Sequence, residues 1–555
     1  MEQDDLNARV GDCAVFLPAI SSFYSSYIGN QRYSEAVESS RVPAKFERGI
    51  EGMNWLNQQE AYFYYPWSLY SAGHANLDLN KFDAGEDMVR NRDRSKTVLL
   101  GDSGGFQIAT AVWAGEWRDP TSQAVQDQLA EYEARGFEKK TVKKTKKVSR
   151  PTDEGTEVVN EVVEKVVQVD LAKQYRQRLA AAQTKRETVL KWLDGIADYA
   201  MVLDIPIWIQ HNPVAAAASG ITNYEEAVGA TKYNNEYFMA NRLGVKNGGA
   251  KFLNVLQASD HPTGDAWYEA MKDYCDPKKY PDRHFDGWAM GGQNMCEIEL
   301  VLKRLVTICH DGLMQPGVHD WIHVLGTSRL EWGLVLTDIQ RAIRRYFNPQ
   351  LTISFDCASP FLATAKGQIY YESVFPDGGK WSYKMTKAVD DKKYATDFRS
   401  FDLVMNQDGH FDTFTSTPIS RRLAVQDVCY YKPGDLNKIR KEGKTSWDSF
   451  SYALQMGHNV YMHIDSVLKA NELYDSGIAP KMLVHTLYDT VKFRDIVDLV
   501  FSAPTLPQAL DIIAKYPRDH WGKIKGTRGV SGRKAIRPQT DQFFTGLPKD
   551  EDEDE

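Results

Sequence analysis

Paired cysteines, a long apolar run and an excess of basic charge are all missing from this 555-residue chain. Its six cysteines (Cys13, Cys275, Cys296, Cys309, Cys357, Cys429) are scattered. That suits free thiols in a reducing compartment better than a disulfide framework. No stretch approaches the roughly 20 apolar residues of a membrane span. The acidic opening, MEQDDLNARV, has no apolar segment of a secretory signal, so a cytoplasmic protein without a membrane partner is expected. A net charge of −8 gives no global signal for nucleic acid. What is present is ordinary for a globular protein, with 42% hydrophobic and 26% charged residues. The length allows a large catalytic domain and one or two appendages.

The stretch LLGDSGGFQ (99–107) admits two readings. GDSGG suggests a protease nucleophile at Ser103, which requires a histidine base and a buried aspartate. The only histidine upstream is His74, without a surrounding motif, and the scattered cysteines do not suggest the disulfides usual in such proteases. In the other reading a buried strand ends on a carboxylate, Asp102, beside a tight glycine turn.

The rest of the chain favours the second. Six segments share one design, a short apolar run that stops on a polar residue or glycine: TVLLGDSGG, YAMVLDIP, FLNVLQASD, GWAMGGQN, IHVLGTS and LTISFDC. Helical periodicity lies between most of them, as in 171–199 and 330–347. Strands alternating with helices predict an α/β fold, a (β/α)8 TIM-type barrel with an inserted β-hairpin and a helical C-terminal extension. Residues 1–95 form the N-terminal part of the barrel domain, 96–475 its core and 476–555 the extension. In such a barrel the active site lies at the C-terminal strand ends. There stand Asp102, Asp204, Gln257, Gly291–Gly292, Leu325–Gly326 and Asp356. An aspartate after an apolar run is often a helix cap, and a Gly-Gly pair often a turn. Their joint placement at successive strand ends points to a site.

Three regions stand apart. In 135–170 lysines alternate with β-branched residues, a turn signal follows at Pro151–Gly155, and valines then alternate with acids. This is a hairpin pattern. It is either a solvated hairpin whose basic arm (Lys139, Lys140, Lys143, Lys144, Lys146, Lys147, Arg150) pairs with its acidic arm, or a basic finger that tracks phosphates. Residues 420–555 read as helical and polar, with a Gly-rich basic loop at 521–538 and an acidic tail, DEDEDE. Residues 1–95 are rich in aromatics and hold the opening strand and helices.

DSGGFQ at a strand end resembles the tRNA-guanine transglycosylases, barrel enzymes that exchange guanine for a 7-deazaguanine. The match continues in order through VLDIP, VLQAS, GGQNMCE, VLG and FDC, and MGHNVYMHIDSVLKANEL (456–473) looks like the family's closing helix. The likeness spans roughly residues 98 to 475. It implies that Asp356 is a nucleophile forming a covalent sugar–enzyme intermediate. Asp102 is then the acid/base. It further implies that Asp204, Gln257, Gly291 and the Gly292 N–H recognise the base, that Ser103 adds a polar contact, and that Phe106 and Leu325 sandwich the ring. Glu297 matches a pocket glutamate, and Gln293 with Asn294 would line the side that accepts a polar substituent.

Two departures bear on the substrate. At the family's structural zinc site, His458 matches the histidine, but Asp427, Cys429 and Lys432 stand where three cysteines are expected. The Cys3His pattern is therefore broken, and no metal or other cofactor is expected. After Asp356 the chain reads CASPFLATAKGQIYY, without the basic run of the tRNA enzymes. This resembles the DNA 7-deazaguanine transglycosylases of phages and bacterial modification islands. The expected partners are a free 7-deazaguanine base and nucleic acid, DNA favoured over tRNA, with an oligomer possible. The alternative is the same exchange on tRNA. A non-catalytic nucleic-acid-binding subunit is disfavoured because both Asp102 and Asp356 are kept.

Overall fold

The computed structural model describes residues 3–34, 37–152, 155–407, 414–430, 445–484, 492–516, 518–524 and 526. Eight short strands form its centre: β1 (Val15–Pro18), β2 (Trp67–Ser71), β3 (Val98–Asp102), β4 (Tyr199–Met201), β5 (Lys251–Leu256), β6 (Gly287–Met290), β7 (Trp321–Val324) and β8 (Thr352–Cys357). All pairings are parallel and join strands consecutive in the chain, and β8 returns to pair with β1. Between β1 and β2 the link is a single bridge, Ala19 to Leu69, with the Ile20 N–H donating to the Leu69 carbonyl at 2.9 Å. The sheet is thus a nearly closed, barrel-like ring. Strands enclosed on both faces read as continuous apolar runs, and β1, β6 and β7 are buried at every position.

Six of these strands are the six apolar runs read from the sequence. The other two, β1 and β2, come from the aromatic-rich first 95 residues. Pro18 ends one and Pro66 precedes the other, and proline masks a strand pattern.

Helices follow most strands: α1 (Ser22–Ser34), α2 (Leu171–Ile196), α3 (Tyr224–Asn241), α4 (His261–Met271), α5 (Ile298–His310), α6 (Leu330–Tyr346) and α7 (Ser449–Asp475). Their starts are fixed by side chains that accept from free first-turn N–H groups. Asp170 caps α2, Asn223 caps α3, Asp260 caps α4 and Asp448 caps α7, each accepting at 2.8–2.9 Å. The segment from 420 onward is less polar than its sequence suggests, because α7 is buried along most of its length.

At the N-terminal end of the ring, three strands begin on inward-facing aromatics. Trp321 of β7 lies 4.2 Å from Tyr199 of β4 and 6.2 Å from Trp67 of β2, centroid to centroid. Each such contact adds about 0.5–1.5 kcal/mol beyond the area it buries. They floor the barrel.

Between the helix Gln123–Arg135 and α2, strands Phe137–Thr152 and Gly155–Asp170 pair antiparallel along their whole length. The register sets Lys143 opposite Glu164, Lys146 opposite Glu161 and Arg150 opposite Glu157. The side chains of Lys140 and of residues 142–165 lie outside the described residues. Toward the C-terminus, α8 (Phe493–Ser502) and α9 (Leu506–Ala514) sit against the ring helices. The Arg494 guanidinium donates to Asp338 of α6 at 2.8 Å, and Phe501 meets Phe347 at 6.5 Å. The basic loop from 527 onward and the acidic tail lie outside the described residues. Among the described residues no helix is long and apolar enough to cross a membrane.

Candidate active site

Every strand-end residue singled out in the sequence falls at the C-terminal mouth of the ring. Asp102 closes β3, Gln257 follows β5, Gly291 follows β6, Leu325 follows β7, and Asp356 sits in the last turn of β8. None of the three aspartates caps a helix; other residues do that work.

Asp102 accepts from the Ser71 hydroxyl at the end of β2 (2.5 Å) and from the Gly104 N–H (3.3 Å). Burial pushes its carboxyl above the usual carboxylate range; the two hydrogen bonds oppose that push, and the nearby charge of Asp356 adds to it. The two acids, 254 positions apart in the chain by subtraction (356 − 102), are close enough to feel each other's charge. Both keep an accessible edge toward the cleft.

Asp356 is held through one oxygen. The Gly326 N–H donates to Oδ1 at 2.8 Å, and His323 Nε2 lies 3.2 Å from the same atom. His323 is fully buried inside the barrel. Its Nδ1 is 2.9 Å from the Ser354 hydroxyl, and that hydroxyl accepts from the Trp321 indole N–H at 2.8 Å. Register explains the alignment: His323 pairs with Ser354, and alternation puts Trp321, His323, Ser354 and Asp356 on the inner face.

A third acid, Asp204, stands beyond β4. Gln257 donates to it at 2.7 Å. Burial moves its carboxyl from an ordinary 3.8 to about 7, with the Gln257 hydrogen bond opposing and the Asp102 charge adding. A Cβ on Gly291 would meet the Gln257 amide at 2.6 Å. Gly292 has φ +58°, and a Cβ there would lie 2.3 Å from the Ala258 carbonyl oxygen. The two glycines therefore let the β6 turn close over Gln257. Leu325 is half-buried, with its N–H on the Met290 carbonyl at 3.2 Å. Phe106 is half-buried too, its ring 5.9 Å from that of Trp208.

In GDSGG the Ser103 hydroxyl donates to the Val202 carbonyl at 3.0 Å and is buried. Among the described residues no histidine pairs with Ser103. Gly104 adopts φ +84°, and a Cβ on Gly105 would press against the Asp204 carbonyl oxygen at 2.6 Å. Gly105 thus admits the segment that follows β4, and Gly104 admits the Trp113 ring. Asn294 is buried, its amide donating to the Leu256 carbonyl at 3.1 Å, so it packs into the wall and does not line the cleft. The side chain of Gln293 lies outside the described residues. Glu297 faces His261 at 3.2 Å, and these two with Glu299 are the group among the described residues whose ligand atoms gather within 4.8 Å.

Three of the residues at the broken zinc pattern, His458, Cys429 and Asp427, have hydrogen-bond partners of their own. His458 places Nδ1 3.0 Å from the Thr417 hydroxyl and Nε2 2.7 Å from the Tyr370 carbonyl, and burial lowers its pKa to about 4. The Cys429 thiol, pushed up to about 11 by burial, donates to the Val389 carbonyl at 3.4 Å. Asp427 accepts from the Ala424 N–H at 2.7 Å. Lys432 lies outside the described residues. This donor set does not fit zinc.

His323, Ser71, Ser354 and Trp208 were not singled out from the sequence. The signal for His323 was available: in WIHVLG, strand alternation puts His323 on the face shared by Trp321 and Leu325. No protein-family model matches this chain, and no curated protein matches it.

Proposed function

We propose that this protein is a base-exchange transglycosylase on a (β/α)8 barrel, replacing guanine in DNA with a 7-deazaguanine base through a covalent sugar–aspartate intermediate. The observation that carries this reading is the meeting of Asp102 and Asp356 at one barrel mouth in unlike surroundings. A pair of carboxylates whose environments differ is the equipment for cleaving a glycosidic bond with retention.

Asp356, as carboxylate, attacks the anomeric carbon through Oδ2, and the bond from sugar to guanine breaks. Guanine leaves with the proton that Asp102 holds; burial of Asp102 supports its acid role. Asp102, now charged, takes a proton from the incoming base, whose nitrogen attacks the sugar carbon and releases Asp356. Asp204 and Gln257 form the hydrogen-bonding wall for the purine edge, and Phe106 and Leu325 contribute apolar faces. The target nucleotide must leave its stack to reach Asp356, at a cost of a few kcal/mol. DNA is favoured because the zinc pattern and the basic run after the nucleophile are absent.

The test supplies radiolabelled guanine with duplex DNA or with tRNA and follows which polymer takes up label. Uptake by DNA is expected. Uptake by tRNA alone moves the same chemistry to the alternative polymer, and uptake by neither removes the proposal.

A further inference from the structure

Between Asp356 and the aromatic floor runs a polar column that the exchange chemistry leaves unused: Trp321, Ser354 and His323, all buried inside the barrel. Its hydrogen bonds have one consistent direction. The Trp321 indole can only donate, and it donates to Ser354 Oγ at 2.8 Å. The serine proton then has two acceptors, His323 Nδ1 at 2.9 Å or the Ile322 carbonyl at 3.5 Å. The shorter contact is the real hydrogen bond. With Nδ1 accepting, a neutral imidazole carries its hydrogen on Nε2, which faces Asp356 Oδ1 at 3.2 Å. The indole N–H thus fixes the tautomer of a histidine two residues along the same strand.

We propose that His323 is a positioning residue for the Asp356 nucleophile, holding Oδ1 together with the Gly326 N–H so that Oδ2 faces the sugar. The inference rests on the reading of Asp356 given above. Among the described residues both donors to Asp356 fall on Oδ1. When Oδ2 bonds to the sugar carbon, Oδ1 becomes the ester carbonyl oxygen and keeps both N–H donors. When the incoming base attacks, the electron pair of the breaking carbon–Oδ2 bond returns to the carboxylate and spreads onto Oδ1. Charge grows where the donors already stand, so the step they accelerate is breakdown of the covalent intermediate.

The experiment uses the full chain, the polymer that accepts label, and unlabelled guanine as the chase. Covalent adduct is quenched at successive times and counted on denaturing gels. His323→Phe removes the donor, His323→Gln keeps an Nε2–H donor, and Ser354→Ala frees the tautomer. Loss of a hydrogen bond to a developing charge slows adduct decay about 10- to 100-fold in His323→Phe. His323→Gln recovers most of the wild-type rate, and Ser354→Ala falls between. Decay at the wild-type rate in His323→Phe, or a His323→Gln as slow as His323→Phe, overturns the inference. Should His323→Phe fail to fold, Ser354→Ala carries the test, and unchanged decay in it has the same force. A wild-type chain that forms no adduct with either polymer overturns the nucleophile reading, and this inference with it.

Discussion

The two ends of the barrel are built from the same eight strands, yet they spend them differently. At the floor, Trp67, Tyr199 and Trp321 fill the ring with aromatic contacts. At the mouth, the charge of Asp356 reaches Asp102 and that of Asp102 reaches Asp204, and burial raises both Asp102 and Asp204. Burying Asp102 and Asp204 there opposes folding, because burial penalises the charged form. The floor supplies the rigidity that lets the mouth keep them. Trp321 joins the two, packing below while its indole N–H starts the polar column that ends on Asp356.

Breaking the mouth alone gives the largest functional effect. Asp356→Asn loses exchange by about 10³-fold or more, with no adduct and little change in urea midpoint. Asp102→Asn lowers exchange by about 10²- to 10⁴-fold in the same assay, as expected for loss of an acid/base. Breaking the floor reverses the balance. Trp321→Ala costs about 3–5 kcal/mol in urea unfolding, chiefly through the cavity it leaves.

Gly105→Ala sharpens the contrast, since one methyl 2.6 Å from the Asp204 carbonyl oxygen strains the mouth directly. It costs about 1–3 kcal/mol by the same measurement. The pH dependence is smaller and has a definite sign. Asp204 is raised from 3.8 to about 7, so within that window the folded chain holds a proton the unfolded chain has released. Stability therefore falls as pH rises from about 4 to about 7, and Asp204→Asn flattens part of that slope. Asp102 contributes in the same direction, as do other buried carboxyls such as Asp194 and Asp338. Urea midpoints at about pH 5 and about pH 8, compared between wild type and variant, check it.

The six apolar runs were legible because enclosed parallel strands have no polar face to interrupt them. Beyond them, β1 and β2 were hidden by proline and by aromatics that fit helix and loop equally well. At the site, single residues at strand ends could be read, since a strand end has a known place in a barrel. Their partners could not. Ser71 reaches Asp102 from a strand the sequence did not reveal, and Ser354 reaches His323 through a register set only by the folded sheet. The glycines of GDSGG read as a tight turn, and what they accommodate is the Trp113 ring and the Asp204 backbone carbonyl, both brought there by tertiary contact.

The most direct test of two acids acting on one linkage is the place of the covalent bond. Wild-type protein is quenched during exchange, digested, and mapped by mass spectrometry for a peptide carrying the sugar. The account predicts the sugar on Asp356, and its accumulation when guanine is withheld. A sugar on any other residue, or steady exchange with no modified peptide, contradicts it.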